Sequence, residues 1–508
     1  MKNISIVLHF VFFMFLLTAC QVNGIDETDY DDIATILQSR LPSSVNSDFL
    51  LPSYGEYDIT WTFKGNQLED IFIYESPFAD ESTQITATIK NGRTIKTYDF
   101  PIQLIAVDSA KNNHKIYITM DIPINQVSRT EYNSINILFE GNVNGETYQI
   151  FQTENALLRG RGNSTWGMPK KPFRIRFLEE VSILGLPTAR DYVLLAEYAD
   201  KSLLRNTLVH KFSSYLDTVD HVIQTRVVEL YVNGNYEGVY TLTEQVELRE
   251  EKLFFESVPG VVDTGYFLEL DHRFFEKGGV ENVDGIVVAG IPYEIVSPNP
   301  SNSNYTSAQT AFIKQFIIDM ETALLNKEGY EEYIDIDNWI DFFIVQELFK
   351  NVDVGWSSVN IYKLPGGPIK MGPLWDFDLA IGNADYIDYG VENWYGMRDH
   401  KNRWFKLMMD IPEVREQFKL RYMEIYFNHM SDFLDSIWVM HEAINPAAQR
   451  NFNRWQILDH YVWPNPQEMV QAKTHEAQVN YVYHYIKNRS EWMLIAVQSE
   501  DFAQGRFD

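Results

Sequence analysis

Residues 348–363 read LFKNVDVGWSSVNIYK, and residues 371–383 read MGPLWDFDLAIGN. In the first stretch an apolar helical pattern ends near Lys350 and the chain turns at Gly355. Asn351, Asp353 and Asn360 are then presented from a loop. The second stretch embeds Asp376 and Asp378 among Trp375, Phe377 and Leu379. A buried charge is costly unless it is paired or holds a metal. These acids are therefore either matched by Arg or Lys, or gathered at a site. Their alternation predicts an extended strand with the apolar side chains on the core side and both carboxylates on the other. A loop Asp, a downstream Asn and a further Asp are what phosphoryl transfer uses. One acid orients a hydroxyl, and the other groups hold Mg²⁺. Capping of turns is the commoner use of Asn and Asp.

Upstream, residues 158–177 read LRGRGNSTWGMPKKPFRIRF. Gly160 and Gly162 allow close backbone approach, and their exposed amides could cradle an anion. Arg159 and Arg161 add positive charge for a phosphate. The Walker spacing is absent. The following strand places Lys171 on one face with Phe173, Ile175 and Phe177, and turns Arg174 and Arg176 the other way. A lysine reaching into a cleft has this pattern, and so does one snorkelling from a hairpin. Residues 201–216, KSLLRNTLVHKFSSYL, predict an amphipathic helix. Arg205 and Asn206 near its start either face a ligand or serve as surface and capping groups.

The 508-residue chain carries a formal charge of −29, which argues against a general nucleic-acid binder. Its start, MKNISIVLHFVFFMFLLTAC, has the form of a signal peptide. Leu17-Thr18-Ala19-Cys20 resembles a bacterial lipoprotein box, which implies cleavage before Cys20 and lipid on its sulfur. Cys20 is the single cysteine, so no internal disulfide can form. Residues 20–30 read as a tether, followed by a short helix that Asp31 or Asp32 could cap. Alternating strands at 57–63, 84–89 and 94–107, with an Asn91-Gly92 turn signal, predict a small β-sandwich. The segment resembles immunoglobulin-like domains of bacterial surface proteins. From about residue 107 strands alternate with Gly turns, including a hairpin around Asn233-Gly234-Asn235. From about Ala308 the pattern is helical, with three long helices expected in the last hundred residues, one of them over 465–494.

LRGRGNSTW…PKKPFRIRF, YVNGNYEGVYTLTEQVE, TGYFLELD and NVDVGWSSVNIYK…MGPLWDFDLAIGN together resemble the CotH (spore coat protein H) family of atypical, secreted or surface protein kinases. The resemblance implies an α+β fold: a kinase-like two-lobed domain over 107–500, strand-rich and then helix-rich. It would follow a signal peptide (1–19), the tether and the immunoglobulin-like module (31–106). By position, Asp353 resembles the catalytic acid, and Asp376 and Asn360 the metal ligands. Lys171 resembles the phosphate-pairing lysine, with Lys170 as a close rival and Glu269 or Glu197 as its acid. Glu244 is expected near the adenine or the lobe hinge. ATP, Mg²⁺ or Mn²⁺, and Ser/Thr of an envelope or spore-coat protein are the implied partners. The implied location is the outer face of the membrane, anchored through lipid at Cys20. The H-R-D triplet and G-x-G-x-x-G are absent, the Asp-to-Asn gap is seven residues, and DFD stands for DFG. A non-catalytic coat scaffold and a carbohydrate-active enzyme with paired carboxylates are the competing expectations. A zincin is not, because His441-Glu442 lacks the second His.

Overall fold

The computed structural model describes residues 27–507 except 46–48, 56, 69, 73, 75–80, 105–113, 144–145, 250–251 and 399–400. The signal-peptide expectation and Cys20 lie outside the described residues. The chain divides into two compact units, one formed chiefly by residues up to Ile105 and the other by residues from Ala106 onward.

In the first unit, helix α1 (Glu27–Arg40) begins before the expected Asp31 or Asp32 cap, so the tether is shorter. Asp31 instead accepts a hydrogen bond from Tyr98 Oη at 2.7 Å. Seven strands follow: β1 (Ser44–Val45), β2 (Phe49–Leu50), β3 (Asp58–Phe63), β4 (Asn66–Leu68), β5 (Ile71–Phe72), β6 (Glu81–Asn91) and β7 (Thr94–Leu104). One sheet has the order β1-β7-β6-β3-β4, and β2 and β5 form a separate pair. The alternation is obeyed: Ile85, Ala87 and Ile89 are buried and their neighbours are not. The two-residue loop is Gly92-Arg93, one position later than expected, with Asn91 paired to Thr94 and Gly92 at φ +62°.

The second unit opens with strands β8 (His114–Thr119), β9 (Asn133–Val143), β10 (Glu146–Gly160), β11 (Phe173–Val181), β12 (Ala189–Leu195), β13 (Thr225–Val232) and β14 (Asn235–Glu244). They close into a barrel in the order β10-β11-β12-β14-β13-β8-β9. Inward residues such as Ile118, Ile137, Leu158, Ile175, Leu194 and Leu230 fill it. Asn233 and Gly234, both at positive φ, make the two-residue turn of the β13–β14 hairpin, as primed turns require. Helix α2 (Arg205–Ser213) lies between β12 and β13 and is shorter than the expected 201–216. Its start is late because Asp200 holds the preceding turn by accepting the amides of Ser202, Leu204 and Arg205.

A second sheet of β15 (Tyr266–Leu270), β16 (Gly285–Val288), β17 (Ile291–Ser297), β18 (Val359–Lys363) and β19 (Ile369–Met371) has the order β16-β17-β15-β18-β19. Helices α3 (Ser307–Asn326) and α4 (Ile336–Leu348) precede β18. After β19 come α5 (Arg403–Met409), α6 (Pro412–Arg454), α7 (Gln467–Gln471), α8 (His475–Ala496) and α9 (Glu500–Ala503). Two long helices therefore stand where three were expected. One 43-residue helix, α6, runs through Pro446, and the 465–494 pattern is cut into α7 and α8. The cut is chemical: Thr474 caps α8 by accepting the Ala477 amide at 3.1 Å. Among the described residues no helix is long and apolar enough to cross a membrane.

Candidate active site

Helix α4 is buried on every side from Asn338 to Leu348, as a central helix is. It delivers the chain into the turn that carries Asp353. The Asn351 side chain accepts the Asp353 amide at 3.1 Å, and the Asp353 carbonyl receives the Trp356 amide at 2.9 Å. Gly355 is required here, because a Cβ would lie 1.3 Å from the Lys401 carbonyl oxygen. The chain then enters β18, where Asn360 pairs with Glu269 of β15.

The segment carrying Asp376 and Asp378 is not the strand that its alternation predicts. The ladder stops at Met371, ahead of Pro373, which has no N–H to offer. Beyond it, Asp376 has a left-handed backbone at φ +71°. The Phe377 amide is taken by Asn206 Oδ1 at 2.8 Å, and the Ile381 amide by the Phe349 carbonyl at 2.8 Å. Trp375 and Phe377 are buried, but Leu379 is not, and both acids remain half-buried. Ser358 Oγ donates to Asp376 Oδ2 at 2.9 Å, and Asn360 Nδ2 donates to the Pro373 carbonyl at 3.1 Å.

These acids lie within each other's fields. Burial pushes Asp353 up to about 7, with Asp376 and Asp271 adding and Arg273 opposing. Burial raises Asp378 well above the usual carboxylate range, with Asp376, Glu197 and Asp353 adding. Among the described residues, none of Asp353, Asp376 and Asp378 forms an ion pair within 4.0 Å. The reading of two acids matched by Arg or Lys is therefore not met by contact. Arg161 is the cation facing Asp376 and Asp378, and it lies 5.6 Å over the Trp375 ring. Burial lowers its pKa against the pull of those two acids.

The glycine loop does not form the expected anion cradle with its first amides. The Gly160 amide is spent on the Ser128 carbonyl at 2.7 Å and the Arg161 amide on the Pro172 carbonyl at 3.2 Å. Gly160 serves close approach instead, since a Cβ there would lie 2.3 Å from the Trp166 ring. The two lysines part company. Lys171 precedes β11, half-buried, and donates to the Trp166 carbonyl at 2.5 Å. Lys170 is 2 % exposed and donates to the Val239 carbonyl and to Asn451 Oδ1. Burial pushes Lys170 down to about 7, opposed by Glu197 and Glu237.

The two candidate acids also separate. Glu197 faces Lys170, receives Asn206 Nδ2 at 3.1 Å and is pushed up to about 7 by burial and by Asp200. Glu269 is pushed up to about 7 by burial, and it faces Lys277 and Asp376. Asn206 thus ties Glu197 to the backbone of the Asp376 segment. Arg205 is a core residue, fully buried on Asp200 and donating to the Ala380 carbonyl at 3.0 Å. Glu244, at the end of β14, is fully buried against His221 at 3.0 Å and Lys252 at 3.5 Å. Sequence reasoning missed Ser358, Arg273 and Asn451. Ser358 lies inside a stretch already singled out and Arg273 two residues beyond another, whereas no local signal marks Asn451.

The raised Glu269 carboxyl has a measurable consequence. A raised folded pKa contributes stability that is full below the unfolded value of 4.5 and is lost as pH rises through about 7. Glu269→Gln removes that titration. Its stability relative to wild type is expected to climb from about pH 4 to about pH 8. Thermal melts of metal-free protein check this, and a pH-independent difference contradicts it.

The CotH kinase protein family profile matches residues 158–493, a span that contains Lys170, Glu197, Glu269, Asp353, Asp376 and Asp378. A curated relative, the inner spore coat protein H of Bacillus subtilis, is 24 % identical over 349 residues, 66 % of this chain and 84 % of the relative. By the extent of the matched span, the chain belongs to the CotH kinase protein family.

Proposed function

We propose that this protein is an atypical kinase that transfers the γ-phosphate of ATP to Ser or Thr of an envelope or spore-coat protein. The observation that carries the reading is the convergence of Asp353, Asp376 and Asp378 with no matching ion pair among the described residues, beside Lys170 and the Glu197 carboxyl that faces it. On this reading the barrel and its lysine form the first lobe, and the helix-rich region supplies the acids. Among the described residues no three His, Cys, Asp or Glu side chains form a ready-made metal cage. That fits Mg²⁺, which is commonly held by one or two carboxylates and completed by substrate phosphates.

Asp376 and Asn360 would hold Mg²⁺ or Mn²⁺, which when bound neutralises phosphate charge. Asn360 spends Nδ2 on Pro373, which fixes the amide and leaves Oδ1 for the cation. Lys170 takes the phosphate-pairing role in preference to Lys171, with Glu197 as its acid, and Arg161 adds positive charge at the mouth. Glu244 supports the hinge side of the barrel. Asp353 orients the acceptor hydroxyl and receives its proton. The first unit serves as an immunoglobulin-like spacer behind a lipid anchor at Cys20, which places the enzyme on the outer face of the membrane.

Purified protein is incubated with γ-labelled ATP, Mg²⁺ or Mn²⁺ and a generic acceptor protein, beside Asp376→Asn. Label transfer by wild type alone is expected. The variant should also bind MgATP about tenfold or more weakly. No transfer, together with no ATP-induced thermal shift, would replace the kinase with the scaffold reading.

A further inference from the structure

Resting on the kinase reading, we propose that Asn451, at the C-terminal end of α6, is a positioning residue that sets the amine of Lys170. Its Oδ1 accepts two hydrogen bonds at once, from Lys170 Nζ at 3.0 Å and from the Val239 amide at 3.0 Å. Lys170 Nζ also donates to the Val239 carbonyl and lies 4.6 Å from the Tyr240 ring centroid. An ammonium has three donors. Two are committed here, so the direction of the third is fixed. Both side chains are only 2 % exposed.

The barrel is shaped to admit this amide. Gly238 stands at φ +113°, and a Cβ there would lie 2.6 Å from Asn451 Oδ1 and 3.1 Å from Lys170 Cε. The helix end has anchors besides Asn451. Arg450 binds Glu229 through two hydrogen bonds of 2.8 and 2.7 Å, and Trp455 Nε1 donates to the Glu237 carbonyl at 2.9 Å. Asn451 is thus not the sole anchor, and it is specific as an acceptor. Being neutral, it holds the amine without adding a counter-charge. The charged and titratable groups facing the amine are Glu197 after β12, Glu237 and Tyr240 on β14, and Arg454 of α6, which acts on Glu237 and Tyr240.

The test measures MgATP affinity by calorimetry from about pH 6 to 9 for wild type, Lys170→Met, Asn451→Asp and Asn451→Leu, with melting curves for each. Wild-type affinity is expected to fall as pH rises through about 7, where Lys170 loses its proton. Asn451→Asp keeps both acceptor contacts and adds a charge, so the fall should move up by about one pH unit or more. Asn451→Leu should weaken binding about tenfold or more below pH 7. Where Asn451→Leu fails to fold, the pH profile of Asn451→Asp decides alone. Loss of binding in Lys170→Met, with wild-type affinity and pH profile in the Asn451 variants, overturns the positioning role and leaves the kinase reading intact. Wild-type binding by Lys170→Met, or no MgATP binding by wild type, overturns the kinase reading itself.

Discussion

Asp353→Asn is expected to lower phosphoryl transfer by about 10²–10⁴-fold while leaving MgATP binding at the wild-type level. The substitution is nearly isosteric, and the turn is held by its main chain. The Asp353 amide is bonded to Asn351, and its carbonyl to the amides of Trp356 and Ser357 at 2.9 and 3.3 Å. No ion pair among the described residues is broken. What disappears is a carboxylate that burial pushes up to about 7, within range of a working pH and therefore suited to receive a hydroxyl proton. Initial rates of label transfer, with ATP titrations on the same preparations, separate the two effects. Turnover within twofold of wild type would remove Asp353 from catalysis. Joint loss of transfer and binding would make it a binding group.

Glu347→Ala is expected to destabilise the second unit by about 3–5 kcal/mol. Glu347 and Arg489 are fully buried and joined at 2.7 Å, tying α4 to α8. Glu347 also accepts the amides of Tyr395 at 2.5 Å and Gly396 at 2.6 Å. Arg489 further donates to the carbonyls of Val391 at 2.9 Å and Asn393 at 2.8 Å. Truncation therefore leaves a buried guanidinium without its counter-charge and two amides without an acceptor, which costs far more than loss of an exposed pair. Urea unfolding followed by tryptophan fluorescence reads the change. A loss below about 1 kcal/mol would mean that water or a relaxed loop replaces the carboxylate.

What could be read in advance follows from how local each signal is. Strand alternation in Gln84–Ile89, the Asn233-Gly234 turn and the apolar helix before Asp353 are properties of adjacent residues, and the fold respects them. Asp353 and Asp376 drew notice because each sits in a polar-in-apolar context that demands an explanation. The placing of Lys171 on the strand came from carrying a period of two back across Pro172, where β11 has not yet begun. Asp376 misled in the same way, since an irregular segment and a strand write the same alternation, and only distant partners such as Asn206 and Phe349 decide between them. Arg205 reads as an exposed or ligand-facing cation until Asp200 and the Ala380 and Ile381 carbonyls surround it.

The acceptor that fixes Lys170 lies 281 residues further along the chain. At roughly 5–20 residues per second, a ribosome takes on the order of 15–60 s to make that intervening length. Throughout that interval the barrel strands exist without the helix end that sets their lysine. A nascent chain that has not yet reached Asn451 thus carries Lys170 without the acceptor that orients it. On the kinase reading, nucleotide recognition through Lys170 would be acquired only after Asn451 has been made and has reached the barrel.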